Sequence, residues 1–449
     1  MGSGLDPHVL VRYASAYGTW LKQTREKANP VVVVGRDGRV TGAMCESVVV
    51  GALQAVGCSV VRAGMATTPT VEMGVLFRGA DGGIVLSASH NPAEWNALKL
   101  LNHDGEFLAP NDGAEVIRIA DEIDGKSIDP FVSFDRTGTV SDDDYLDAHV
   151  EAVAGLDFID PDAIASAGFS VLVDGINSIG GIALPRLLRR LGVADGAIHC
   201  LNCEPTGLFA HPAEPLPGNL VETISAVGSL GADVGIVVDP DADRLALVED
   251  GGRYVSEELT QVLAADFIWR KRPGPFVTNL SSSRAIDDVA ASHGQEVHRT
   301  AVGEINVVKK MQEIGATLGG EGNGGVILPD LHYGRDALVG TAMILQHMAE
   351  SRQPLSKLRA ALPQYHIVKL KAPLGDIPPD EALAAMAARY AGERISTIDG
   401  VKVDFDDGWV HMRKSNTEPI VRVYAESTTS EAATRLGKRF IDELTAAAG

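Results

Sequence analysis

One short block recurs along the chain and constrains the fold more than any other feature. Residues 79–86 read GADGGIVL, residues 231–238 read GADVGIVV, and residues 315–319 read GATLG. Self-similarity of this kind marks a repeated structural unit. The first two copies are short apolar runs bounded by turn residues, the pattern of buried parallel strands. Each copy runs into a polar tail: Ser87-Ala-Ser89-His90-Asn91-Pro92, then Asp239-Pro-Asp241-Ala-Asp243-Arg244, then Gly320-Glu321-Gly322-Asn323-Gly324-Gly325. On equivalent strands these tails emerge at the carboxyl ends, where open α/β sheets bind ligands.

A second set of segments repeats in step with the first. VVVVGRDGRVTG (31–42), SVLVDGINSIGG (170–181) and PFVTNLSSSR (275–284) each pass from β-branched residues into a Gly- or Ser-rich loop. Helical patterns lie between them, as in LPRLLRRLG (184–192) and AIDDVAASHG (285–294). From about Leu362 the pattern changes to strand, helix, three strands and a last helix, which predicts a small α+β domain with a largely antiparallel sheet. The expected architecture is α/β: three similar α/β/α domains with mixed sheets, at 1–140, 141–250 and 251–362, plus a C-terminal α+β domain at 363–449, around a central cleft.

Composition narrows the function. The 449 residues call for three or four domains at roughly 100–200 residues each. Acidic residues number 60 against 39 basic ones, a net charge of −21. Such a chain is a poor general binder of nucleic acid, whose affinity rests on Lys and Arg, so an anionic ligand must meet a local basic pocket. No apolar run approaches the roughly 18 residues that span a bilayer, and Met1–Pro7 has no basic start or apolar signal core. Four cysteines, Cys45, Cys58, Cys200 and Cys203, are too few for a disulfide framework. The expectation is a cytoplasmic protein with no membrane or nucleic-acid partner. Cys200-Leu-Asn-Cys203 has redox or zinc spacing but no second pair, and is read as incidental.

Each polar tail has a chemical reading beside a plainer one. Ser89 follows a strand and is stiffened by Pro92, which suits a nucleophile or phosphate carrier; alone, S-H-N-P reads more readily as a capped turn. His90 is adjacent to Ser89, but adjacency does not supply base-to-nucleophile geometry, and no G-x-S-x-G elbow is present. Asp239, Asp241 and Asp243 alternate, so in extended chain they face one way, and three converging carboxylates need a cation. Oxygen ligands select a hard ion, and Arg244 at the sixth position argues against an EF-hand, leaving Mg²⁺. GEGNGG fits G-x-G-x-x-G by letter, but VILPD rather than a helix follows. Either a turn or a loop that approaches a ligand closely fits it. Arg413-Lys-Ser415-Asn416-Thr417, with Arg422, offers hydroxyls, backbone N–H groups and two guanidinium forks for a phosphate. Lys99, ten residues after Ser89, is within reach of the same cleft as an acid/base group.

Together S-A-S-H-N-P, D-P-D-A-D-R, G-E-G-N-G-G and R-K-S-N-T-E-P, in that order between Val31 and Ala425, resemble the four signatures of the α-D-phosphohexomutases. That family includes phosphoglucomutase, phosphomannomutase and phosphoglucosamine mutase. The resemblance implies an intramolecular phosphotransferase that moves a phosphoryl group between the 1- and 6-positions of a hexose phosphate. It implies a phosphoserine at Ser89, a bisphosphate intermediate and a hexose bisphosphate activator. It implies Mg²⁺ held by Ser89, Asp239, Asp241 and Asp243, with Ser89, Lys99, His90 and Arg244 as the catalytic group. Glu321 and Asn323 would contact the sugar; Arg413, Ser415, Asn416, Thr417 and Arg422 would contact the other phosphate. The chain would act as a monomer or homodimer.

This sequence also departs from the family pattern. It opens at MGSGLDPHVL without the usual strand and G-I-R-G-type loop, which raises a catalytically impaired phosphosugar-binding protein as an alternative. Asn323 and Gly325 stand where the sugar loop usually has Ser and His. GEGNGG, with VGEINVVKKM (302–311) before it, resembles most the branch labelled phosphoglucosamine mutase or phosphomannomutase; the first is favoured, with phosphomannomutase or phosphoglucomutase as the alternative.

Overall fold

A computed structural model describes residues 4–373, 378–414 and 420–446. The chain divides into two compact units: residues 1–260 with 323–358, and residues 261–322 with 359–449.

In the first unit the repeat is visible as two sheets of matching topology. The run Val31–Arg36 is a central strand, parallel to Ser59–Met65 on one side and Gly82–Leu86 on the other. Gly82–Leu86 then turns antiparallel into Leu98–Leu101, and Val140–Asp142 pairs parallel with Ser59–Met65 at the far edge. The second sheet repeats the scheme. Val171–Asp174 is flanked in parallel by Ile198–Leu201 and Val234–Val238, and Val234–Val238 pairs antiparallel with Leu245–Glu249. Gly82–Leu86 and Val234–Val238 are buried along their whole length, as runs covered on both faces by helices must be. The tails after Leu86 and Val238 therefore occupy equivalent positions. Each is a loop between a buried strand and its antiparallel neighbour.

The helices follow local signals. Asp6 caps the helix Pro7–Thr24 by accepting from the Val9 amide at 3.0 Å, with proline at the first helical position. Its apolar face packs with Gly42–Ala55 on one side of the first sheet, where Leu10, Leu21, Val32, Val34, Leu53 and Ile84 are fully buried. At roughly 1.5–3 kcal/mol per buried aliphatic side chain, this layer fixes where the loops begin.

In the second unit, Phe276–Asn279 pairs parallel with Val297–Thr300 and Leu318–Glu321, repeating the central scheme of the other sheets. The C-terminal sheet is antiparallel throughout, in the order His366–Pro373, Ile420–Ser427, Gly408–Lys414, Val401–Phe405, Arg394–Ser396. Helices Pro379–Arg389 and Ser430–Ala446 bury Met386, Phe440 and Leu444 in a core with the sheet residues Val403, Val410 and Val423.

Candidate active site

The loops after the two equivalent strands meet. Ser89 Oγ donates to Asp239 Oδ2 at 2.7 Å, a contact between residues 150 positions apart. Ser89 is buried and has φ +47°, a left-handed conformation that a side chain adopts only when the surroundings over-determine it. What holds it is visible. The Ser89 amide donates to Ser87 Oγ at 2.8 Å, and Ser87 Oγ donates to Asp37 Oδ2 at 2.8 Å. The buried Arg39 guanidinium donates to the carbonyls of Ser89, Asn91, Pro92 and Trp95, and to Asp37 at 2.9 Å. One side chain thus gathers four carbonyls of the serine loop. Burial pushes the Asp37 carboxyl up to about 6 even beside Arg39.

The aspartate loop is a turn, not extended chain. Ala242 has φ +53°, and its amide bonds back to the Asp239 carbonyl at 3.0 Å. Alternation along a strand is therefore not what aligns the three carboxylates. They converge because the chain folds back between two antiparallel strands, bringing oxygens of Asp239, Asp241 and Asp243 within 4.8 Å of one another. Ser178 Oγ receives the Gly38 amide at 2.8 Å and donates to the Pro240 carbonyl at 2.5 Å, tying this turn to the Asp37–Arg39 loop.

Charges around the cluster are uneven. Lys99 Nζ lies 2.5 Å from Asp241 Oδ2 and 3.1 Å from Asp243 Oδ2. Arg335 Nη2 donates to Asp243 Oδ2 at 2.9 Å, and Thr68 Oγ1 donates to Asp241 Oδ2 at 2.5 Å. Burial opposes the Lys99 ammonium, but Asp241 and Asp243 outweigh it and raise its pKa. Burial likewise opposes the Asp243 carboxylate, yet Arg335, Lys99 and Arg244 outweigh it and hold its pKa low. Asp239 goes the other way: burial, then Asp243 and Asp241, push it well up. Arg244 gives it a backbone N–H at 3.2 Å, but its guanidinium Nε stays 4.0 Å from Asp239 and 3.9 Å from Asp243. His90 Nδ1 lies 3.4 Å from Ser89 Oγ, and burial, then Arg244, lower its pKa to about 4.

The donor set fits a hard divalent ion. Asp241 Oδ1 and Asp243 Oδ1 are buried without a hydrogen-bond partner, and Asp239 lacks a close cation of its own. An ion taking oxygen ligands from all three aspartates would satisfy these atoms at once.

Other expected residues fall in two groups. Asn323 Oδ1 accepts from the Gly325 amide at 3.2 Å, and Gly324 has φ +91° where a Cβ would meet the Leu245 carbonyl at 2.5 Å. In the second unit Glu321 is buried and accepts from Asn279 Nδ2 at 2.8 Å. Arg413 and Arg422 face each other on adjacent strands, with Arg413 Nε 3.2 Å from Asp399. Ser415, Asn416 and Thr417 lie outside the described residues. Sequence reasoning did not single out Arg39, Arg335 or Thr68. For Arg39 a signal existed, an Asp-Gly-Arg at the end of a strand that recurs in position with the other loops. For Thr68 there was none.

Four family profiles match this chain in order: phosphoglucomutase/phosphomannomutase α/β/α domain I over residues 1–127, domain II over 143–252, domain III over 256–365, and the C-terminal domain over 368–443. The chain belongs to the phosphoglucomutase/phosphomannomutase family, the phosphohexomutases. These are isomerases that transfer a phosphate group within a sugar phosphate. A Thermococcus kodakarensis protein named phosphoglucomutase/phosphomannomutase is 36% identical over 98% of this chain and 95% of its own length. A Methanopyrus kandleri protein named "Probable phosphoglucosamine mutase" is 34% identical over 98% and 95%. A crystal structure of a family protein from Burkholderia thailandensis superimposes with TM-score 0.83 at 26% identity, covering 100% of this chain and 95% of that one. Among the described residues no helix is long and apolar enough to cross a membrane.

Proposed function

We propose that this phosphohexomutase exchanges a phosphoryl group between the 1- and 6-hydroxyls of a hexose phosphate through phospho-Ser89, with glucosamine phosphate as its preferred substrate. The observation that carries the reading is the 2.7 Å contact of Ser89 Oγ with Asp239, at the rim of a three-carboxylate cluster.

In the forward half-reaction the Ser89 Oγ–P bond breaks as a P–O bond forms to a free sugar hydroxyl, giving a bisphosphate. The hydroxyl proton leaves and Ser89 Oγ ends protonated. The second half-reaction runs the same exchange in reverse from the other phosphate. Asp239, Asp241 and Asp243 would hold Mg²⁺, which when bound neutralises charge on the group in transfer. Arg39 and Asp37 position the Ser89 loop, so the nucleophile is held without reorganisation. Lys99 Nζ, 2.5 Å from Asp241 Oδ2, would exchange a proton with the sugar hydroxyl or leaving oxygen. His90, neutral at pH 7, is a hydrogen-bonding neighbour of Ser89 rather than a cation. Glu321 and Asn323 would meet the sugar hydroxyls. Arg413, Arg422 and the loop containing Ser415, Asn416 and Thr417 would grip the phosphate that does not react. The domains would run 1–140, 141–250, 251–362 and 363–449, and the setting would be cytoplasmic.

The sugar assignment is supported by the GEGNGG loop and by the Methanopyrus relative's name. The Thermococcus relative's name favours glucose or mannose phosphate as the second reading. A panel assay with glucosamine-, glucose- and mannose-phosphates, primed with a hexose bisphosphate, decides between them. A kcat/KM at least tenfold higher for glucose or mannose phosphate would replace the glucosamine assignment. Isomerisation of none of them by Mg²⁺-loaded protein would remove the mutase reading.

A further inference from the structure

Segment 332–336 carries Arg335, which reaches Asp243, but its two flanking residues turn to a second cluster. His149, His332, Asp336 and Glu72 are all buried, none more than 4% exposed. His149 Nε2 lies 2.9 Å from Asp336 Oδ2, and His332 Nε2 lies 3.5 Å from the same oxygen. One ligand atom from each of His149, His332 and Asp336 lies within 4.8 Å of the others. Each outward nitrogen has a polar neighbour. His149 Nδ1 sits 3.0 Å from Thr70 Oγ1, and His332 Nδ1 sits 3.1 Å from Glu72 Oε2. Asp336 Oδ1 is committed to the Leu338 amide at 2.8 Å as a helix cap, which leaves Oδ2 for the two imidazoles.

We propose that His149 Nε2, His332 Nε2 and Asp336 Oδ2 form a second metal site, separate from the three aspartates, for a borderline divalent ion of the zinc type.

Three observations converge on it. First, neither His332 nitrogen has an aligned hydrogen-bond partner although the ring is buried between two carboxylates, and Glu72 Oε2 is left unpartnered as well. A separation of 3.5 Å is too long and too poorly aligned for a hydrogen bond. It is close to the roughly 3.3 Å expected between two ligands of a tetrahedral ion bound at about 2.0–2.1 Å. Second, His149 meets the Thr70 hydroxyl at its other nitrogen, as the outer partners of metal-binding histidines do, while Glu72 lies beside the other nitrogen of His332 without an aligned bond. Third, the carboxylates of Glu72 and Asp336 are both buried beside these rings, and one divalent ion would supply balancing charge. Two imidazoles with a carboxylate favour zinc over magnesium, so the two sites would sort different ions. Such an ion would pin the Arg335 segment to the helix Leu146–Ala154, which bears His149.

The rival occupant is a proton. Burial opposes charge on His332, but Asp336 and Glu72 raise its pKa to about 10, so an imidazolium could fill the same role. Full-length protein stripped with chelator and reloaded with zinc, then analysed by mass spectrometry of metals, separates the two. The expected result is close to one equivalent of zinc per chain, undisplaced by excess Mg²⁺, with visible d–d bands after cobalt substitution. His149→Gln should abolish those bands, and the milder Thr70→Val should weaken zinc binding roughly tenfold. Asp241→Asn should leave both unchanged. Folded wild-type protein that takes up no zinc and gives no cobalt bands overturns the proposal in favour of the proton. Bands lost in Asp241→Asn but kept in His149→Gln overturn it in favour of the aspartate cluster.

Discussion

Ser89 Oγ and Asp239 Oδ2 lie 2.7 Å apart at the ends of equivalent strands in two repeats of one fold. Duplication explains the meeting. Each copy delivers a loop from the same end of its sheet, and divergence put a hydroxyl on one and carboxylates on the other.

Crowding at Asp239 sets function against stability. Its carboxylate is buried beside Asp241 and Asp243, and that combination disfavours its charge. Asp239→Asn should therefore raise the melting temperature of metal-free protein by a few degrees, while cutting mutase turnover by about 10² or more. The Mg²⁺-induced rise in melting temperature seen in the parent should also be lost. Calorimetry with and without Mg²⁺, beside a coupled assay, measures all three. A metal-free variant that melts below the parent would contradict the crowding argument.

Arg39 should prove as sensitive as any residue that touches substrate. Its guanidinium is fully buried, paired with Asp37 and bonded to four carbonyls of the serine loop. Arg39→Met strands those acceptors and leaves Asp37 unpaired, a loss of about 3–5 kcal/mol in denaturant unfolding. Arg39→Lys, with one compact donor group in place of a fork, should recover only part of it. Recovery of full stability and activity by lysine would mean that charge alone suffices.

Close packing at the start of the strand that leads to the same loop gives a third test. A Cβ on Gly82 would lie 2.1 Å from the Tyr17 hydroxyl and 2.8 Å from the Leu101 carbonyl. Tyr17 donates to that carbonyl at 2.6 Å, and its displacement would leave a buried polar group unpaired. Gly82→Ala should destabilise the protein by about 2–4 kcal/mol. A urea midpoint unchanged from the parent would show that the tyrosine yields without cost.

Lys402 supplies a pH signature in the second unit. Burial, then Arg299, lowers its pKa to about 7, and the side chain lies 4.8 Å over the Trp409 ring. The unfolded chain binds this proton between about pH 7 and 10.4 while the folded chain does not, so this group makes stability rise with pH across that window. Lys402→Met removes the term. Its stability relative to the parent should be greatest at and below pH 7 and fall by ~3 kcal/mol towards pH 9.5. A difference that is flat with pH would place the lysine charge in water.

Much of the architecture was legible because it repeats. GADGGIVL and GADVGIVV are short, apolar and β-branched, and such runs fold into buried strands with little help from context. Their polar tails had to emerge at one end of each sheet, which brought Ser89 and the three aspartates into consideration before any coordinates. Alternation pointed to an extended segment, whereas a turn with Ala242 at positive φ brings the carboxylates together.

The sequence by itself determined which segments become strands and which loops carry reactive groups, because those depend on local periodicity and turn chemistry. Only the tertiary structure decided that Arg39 holds the serine loop, that Arg335 balances Asp243, and that His149, backed by Thr70, and His332 meet at Asp336. Apart from His332 and Asp336, four positions apart, these contacts join residues 50 to 187 positions apart. Burial and distance set their strength, and neither is written in local composition.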